Sequence, residues 1–164
     1  MKQDKRTTLF RVTTTILLSG LMFLNHGVCS EESTITESSS VVSTLADTQW
    51  HLIEFQSMDD AIGIKRTDDP SKYTMQLNGD GTVKLKLNCN LATGTWSAEA
   101  SSDLSSGQFN FGLLAATRAL CPPPSMDEHV LSQAPYVRSF LMKDGRLYLS
   151  LMADGGIYVW EPDN

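Results

Sequence analysis

The sequence predicts an α+β domain: mainly antiparallel β-sheet, or a partly open β-barrel, with one helix at about 125–141 packed on it. Three observations predict this. Short segments alternate apolar and polar residues with period two, glycine-containing turns separate them, and a single apolar stripe recurs at helical spacing.

The strands follow in order. Trp50-His51-Leu52-Ile53-Glu54-Phe55 has strand composition. Tyr73-Thr74-Met75-Gln76-Leu77 alternates, Asn78-Gly79-Asp80-Gly81 supplies turn chemistry, and Val83-Lys84-Leu85-Lys86-Leu87 returns in strict alternation, so the two segments form a hairpin. Gly94 to Ala98 and Gln108 to Phe111 are further strands. Asp144-Gly145 turns into Leu147-Tyr148-Leu149-Ser150-Leu151, and Asp154-Gly155-Gly156 turns into Ile157-Tyr158-Val159-Trp160.

One helix interrupts the strands. Ser125-Met126-Asp127-Glu128 has the form of a capping box, in which Ser125 caps an amide and Glu128 reaches back. Val130, Leu131, Ala134, Val137 and Leu141 then share one face. Pro135 removes the hydrogen bond to the Leu131 carbonyl, so a kink or two short helices are expected.

Residues 1–30 read as an export signal. Lys2, Lys5, Arg6 and Arg11 precede an uncharged apolar run from Val12 to Leu24, too short to cross a bilayer comfortably. Val28-Cys29-Ser30 offers small residues for cleavage before Glu31, with an uncleaved anchor as the competing reading. Cys29 also offers a lipidation site, although His26 and Val28 match the lipoprotein pattern poorly. The expected location is therefore periplasmic or secreted, with a membrane-anchored lipoprotein through Cys29 as the alternative. Residues 31–44 are rich in Ser, Thr and Glu and bury too little to order themselves, so they read as a flexible spacer before one domain at 45–164. No apolar run long enough to span a membrane remains after cleavage.

Without the first thirty residues the chain carries nine basic side chains against eighteen acidic ones, and the formal charge moves from −6 to −9. Phosphate backbones are repelled on average, which disfavours nucleic acid as a partner.

From about Leu45 to Trp160 the chain resembles the META (HslJ-like) domain family. The resemblance rests on Trp50 in Thr48-Gln49-Trp50-His51-Leu52, and on Asn88-Cys89-Asn90 followed by Gly94 and Trp96. Thr117-Arg118-Ala119-Leu120-Cys121 and the acidic pair Asp127-Glu128 complete it. Asn88 departs from the pattern, because the family usually has glycine there, and Pro135 departs from it in the helix. The resemblance implies a small β-rich fold with one helix, often exported or lipid-anchored, and associated with envelope stress and drug tolerance. It implies no enzymatic activity, no catalytic residue and no cofactor.

The side chains were weighed beside that resemblance. After cleavage two cysteines remain, Cys89 and Cys121, and an oxidising compartment favours a structural disulfide between them. Free or redox-active thiols stay open as the alternative. There is no C-x-x-C pair and no histidine cluster to make a metal site. His129 beside Asp127 and Glu128 could serve acid–base chemistry, but neighbouring helical residues point apart, and acids in a first turn are explained by capping. Ser125 lacks the surroundings of a hydrolase elbow. Asp59-Asp60 and Asp68-Asp69 match no calcium loop and read as solvated loop acids. Asn88 and Asn90 read as bonding local backbone in a tight bend, and Pro122-Pro123-Pro124 as a stiff connection. If the last two strands pair, Tyr148, Tyr158 and Trp160 fall on one face, either core beneath the helix or an exposed binding face.

The functional expectation is a non-enzymatic envelope protein that binds an unknown envelope protein or a small apolar ligand. An inhibitor or chaperone-like factor for an envelope protein, and a hydrolase with an unrecognised site, are the alternatives.

Overall fold

The structure is a computed structural model and describes residues 44–163. The expected leader, Cys29 and all of the spacer except Thr44 lie outside the described residues.

The described residues form nine strands: β1 (Thr48–Gln56), β2 (Ile64–Arg66), β3 (Tyr73–Leu77), β4 (Thr82–Leu87), β5 (Asn90–Ala100), β6 (Ser106–Ala116), β7 (Val137–Lys143), β8 (Arg146–Leu151) and β9 (Ile157–Pro162). Helix α1 (Asp127–Gln133) precedes β7. Every pairing is antiparallel, and neighbours follow chain order from β3 to β9. β1 closes the ring by pairing β3 through its first half and β9 along its other edge, with a register shift between Leu52 and Glu54. The second half of β1 carries the short β2 as a spur, from Glu54↔Arg66 to Gln56↔Ile64. The result is an eight-stranded antiparallel barrel, so the partly open sheet allowed by the sequence is corrected to a closed one. Closure removes the edges that an open sheet would expose.

Strand alternation places the core. Met75, Leu77, Val83, Leu85 and Leu87 point inward, while Gln76, Lys84 and Lys86 point out. The two tryptophans of the family pattern belong to this core, and each satisfies its indole N–H as burial requires. Trp50 Nε1 donates to Thr48 Oγ1 at 2.7 Å, and Trp96 Nε1 donates to the Asn78 carbonyl at 3.0 Å. Gly94 is explained by close approach, since a Cβ there would run into the Leu113 carbonyl oxygen and the Leu114 side chain. It sits where the β5–β6 register shifts, between Gly94 and Trp96.

The helix is shorter than expected. It ends at Gln133, and Pro135 sits within a single 3-10 turn, Ala134–Tyr136. Val137 and Leu141 therefore belong to β7 rather than to the helix. The cause is a register shift in β7 between Val137 and Ser139, which leaves Val137 and Phe140 both buried at a spacing of three. That spacing imitates a helical stripe. β6 and β7 share only the pairs Ser106↔Leu141, Gly107↔Phe140 and Gln108↔Ser139, because the chain before β7 is helical. α1 buries Val130 in the core, and Met126 just ahead of it does the same.

Candidate functional site

The β4–β5 connection starts the site. Leu87 pairs with Asn90, leaving a two-residue turn of Asn88 and Cys89. Asn88 has φ of 57°, in the left-handed region. Glycine pays least there and asparagine is the next most tolerant residue, which accounts for asparagine at a position where the family usually has glycine. The Asn88 side chain is used as well: Nδ2 donates to Ser125 Oγ at 3.0 Å.

Asn90 is the hub. It is the one buried polar side chain among the described residues, at 2% exposure. Its Nδ2 donates to the Ala119 carbonyl at 2.9 Å, and its Oδ1 accepts from the Ala119 N–H at 2.8 Å. This paired grip imitates one rung of a sheet. Oδ1 also accepts from Thr117 Oγ1 at 2.9 Å, and Nδ2 donates to Asp127 Oδ2 at 2.7 Å. The amide's polar capacity is filled, as burial demands. What it holds is the strap between β6 and α1, residues 117–126. The same strap is reached by Cys89: its Sγ lies 2.05 Å from Cys121 Sγ, at disulfide distance, with the Cα atoms 5.5 Å apart. The bonds of Asn90 thus reach a segment 29 residues away, not the local bend that the sequence suggests.

The capping box does not form. The N-cap residue is Met126, and it makes no side-chain cap bond. Ser125 Oγ accepts from the Asp127 N–H at 3.4 Å and donates to Asp127 Oδ1 at 2.5 Å, and the Met126 N–H donates to Tyr73 Oη at 3.1 Å. Tyr73 is wholly buried, so a core phenol supplies the partner that a capping side chain would otherwise provide. Burial on its own would raise the Asp127 carboxyl. Hydrogen bonds from Ser125 and Asn90 outweigh it and hold the group below its ordinary 3.8.

Between strap and helix lies a cleft of about 520 Å³, lined among others by Thr117, Leu120, Pro123, Asp127, Leu131 and Ser132. Leu120 is fully exposed at this cleft and Leu131 is half-buried. Asp127 is half-buried and Glu128 exposed beside it. Among the described residues neither carboxylate has a cationic partner at ion-pair distance; the four ion pairs involve Asp163, Glu54, Asp68 and Glu161. Arg118 stands exposed on the cleft's strap side.

The structure therefore brings together Asn88, Cys89, Asn90, Thr117, Cys121, Ser125 and Asp127, most of which the sequence singled out separately. It does not bring together the three aromatic residues. The β8–β9 register pairs Tyr148 with Val159, Leu149 with Tyr158 and Leu147 with Trp160. Tyr158 and Trp160 accordingly lie inside with the leucines, at 2% and 1% exposure, and Tyr148 stands on the opposite face, half-buried. The expected shared face of Tyr148, Tyr158 and Trp160 is thus corrected. Trp160 Nε1 is buried without a partner among the described residues.

The histidines and loop acids lie apart from the cleft's polar cluster. His129 Nδ1 and Tyr158 Oη share a hydrogen bond at 2.8 Å, and the imidazole ring meets Phe55 edge-on at 4.5 Å between centroids. Burial, with a smaller push from Lys65, lowers the His129 imidazole below 6.5, and burial raises the Tyr158 phenol. His51 Nε2 pairs with Asp163 Oδ1 at 2.9 Å. Asp69 accepts from the Ser71 N–H, and Asp68 pairs with Lys72. No group of three or more His, Cys, Asp or Glu suited to a metal ion occurs among the described residues. The cleft itself escaped sequence reading. Its clearest mark, the full exposure of Leu120 beside Cys121, is not written in a sequence.

Comparison with known proteins agrees with this geometry. No curated protein matches the sequence. Two solved structures share the fold. The NMR structure of a protein from Burkholderia xenovorans is similar at a TM-score of 0.58 and 17% identity, over 87% of this chain and 99% of that one. The crystal structure of a DUF4847-family protein from Bacteroides vulgatus is similar at a TM-score of 0.51 and 14% identity, over 74% of this chain and 96% of that one. The META domain family model matches residues 43–161, which include the barrel, the Asn88-Cys89-Asn90 turn and the strap it holds. The chain belongs to the META domain family.

Proposed function

We propose that this chain is a non-catalytic binding protein of the cell envelope, exported by the leader at residues 1–30, and that the cleft between strap and helix is where its partner binds. The carrying observation is that an exposed, strand-free strap is fixed by a buried asparagine and by a cysteine pair at disulfide distance. A segment fixed this firmly presents Leu120 and the cleft wall in one arrangement, which lowers the ordering cost of binding. The Cys89–Cys121 pair acts as a staple in this reading, suited to an oxidising compartment.

Binding is favoured over hydrolysis by the surroundings of Ser125. Its hydroxyl is shared between Asp127 and Asn88, while the two described histidines are engaged elsewhere, His129 with Tyr158 and His51 with Asp163. A nucleophile needs a base within reach, and the one group Ser125 Oγ donates to is the Asp127 carboxylate, which is held below its ordinary 3.8 and so is a weak base for activating a hydroxyl.

The test is site-specific photo-crosslinking in the native cell. A crosslinker placed at Leu120 is expected to give a discrete adduct, and one at Thr93, exposed on the outer wall of β5, is not. Equal or absent adducts from the two positions would overturn the assignment.

A further inference from the structure

We propose that the cleft takes a cationic group on an apolar stem, a primary amine or guanidinium carried by an aliphatic chain, as a lysine or arginine side chain of a partner polypeptide provides. This inference rests on the binding role assigned to the cleft and names the chemistry of its ligand.

Four observations carry it. Asp127 is half-buried on the cleft wall, and its two oxygens are engaged by neutral donors only, Ser125 Oγ at 2.5 Å and Asn90 Nδ2 at 2.7 Å. No cationic side chain reaches it among the described residues, so its charge is stabilised locally but not neutralised. A partly desolvated carboxylate in that condition gains most from a cationic donor brought by a ligand. Glu128 adds a second carboxylate on the same wall.

The apolar part of the ligand is argued from the other lining residues. Leu120, Pro123 and Leu131 stand around the same space, and Leu120 is wholly exposed without a ligand. An ammonium or guanidinium head on a methylene stem matches this surface in both parts: the head meets the carboxylates while the stem covers the leucines. An anionic head is repelled. A neutral head gains only the apolar contact.

The local structure supports a preformed site. Asp127 is held by Asn90, which also grips both polar groups of the Ala119 peptide, so the charged wall and the strap are fixed by one side chain. Thr117 is anchored to the same amide.

The experiment uses three probes with one stem and different heads: pentylamine, 1-pentanol and pentanoate. Each is titrated into the oxidised, isotope-labelled protein, and the amide signals of Ala119 and Leu131 and the side-chain amide of Asn90 are followed by NMR. Pentylamine is expected to shift these signals at least about tenfold more tightly than pentanol, with pentanoate weakest and the amine preference shrinking as salt is added. Asp127→Asn should bring the amine down to the level of the alcohol. Glu128→Gln removes an exposed charge without touching the Asn90 network and should weaken the amine less. Arg118→Gln removes a like charge beside the cleft and should leave the amine as tight or tighter.

If pentanol or pentanoate shifts the signals as tightly as pentylamine, the cationic assignment is overturned and the binding cleft stands. If no probe shifts any of them, both the assignment and the binding role of this cleft fall.

Discussion

A single buried amide organises the site. Asn90 engages Thr117 and Ala119 on the strap and Asp127 at the start of α1. Asn90→Ala removes the side-chain bonds to Thr117, Ala119 and Asp127 together, and should cost about 2–3 kcal/mol in a urea unfolding experiment. A shift below about 0.5 kcal/mol would show that water replaces the amide without loss. Some of this was legible in the sequence. The Asn88-Cys89-Asn90 run is conspicuous, and a bend at that point follows from the residue types. The target of Asn90 was not legible, because a side-chain bond to a peptide 29 residues away leaves no periodic trace. Asn88 was the reverse case: its φ of 57° turns an apparent departure from the family pattern into the next best residue for that backbone.

At the scale of elements, the strap is held by the Asn90 hydrogen bonds and carries one half of a cysteine pair at disulfide distance. On chain-entropy grounds, a disulfide that closes the 32-residue separation between Cys89 and Cys121 stabilises the fold by about 3–4 kcal/mol. Reduction should lower the unfolding free energy read by urea titration by that amount, and the recovered protein should take up two alkyl groups only after reduction, read by intact mass. Uptake without reduction would identify free thiols and remove this contribution. The element boundaries show what a pattern can and cannot carry. The β3–β4 hairpin is readable because Asn78-Gly79-Asp80-Gly81 separates two cleanly alternating runs. β7 is not readable, because its register shift places Val137 and Phe140 on the inner face with helical spacing, just after a true helix. β2 is three residues long and wholly exposed, too short for any period to show. Pro135 was the better guide, since it marks the point where helix gives way to strand.

For the whole molecule, the barrel closes through β1 and β9, and α1 carries a neutral histidine against Phe55 and Tyr158 near that closure. The His129 imidazole is held below 6.5 in the folded chain, so as pH falls through about 6.5 the unfolded chain binds a proton that the folded one refuses. The stability due to this group is present in full above that pH and is lost progressively below it. Urea midpoints of the native protein should therefore fall as pH drops below about 6.5, and His129→Gln should flatten that part of the profile. An unchanged slope in the variant would assign the acid sensitivity to other groups.

Asn90 fixes the strap, and amide hydrogen exchange at Ala119 in the oxidised native protein reads that directly. Ala119 lies outside every strand and helix, so without the Asn90 Oδ1 acceptor its amide would exchange as a loop amide does. Protection at Ala119 should stand well above that of Arg118 and Leu120 on either side. Exchange at Ala119 as fast as at those neighbours would contradict it, leaving the strap mobile and the cleft without a fixed wall.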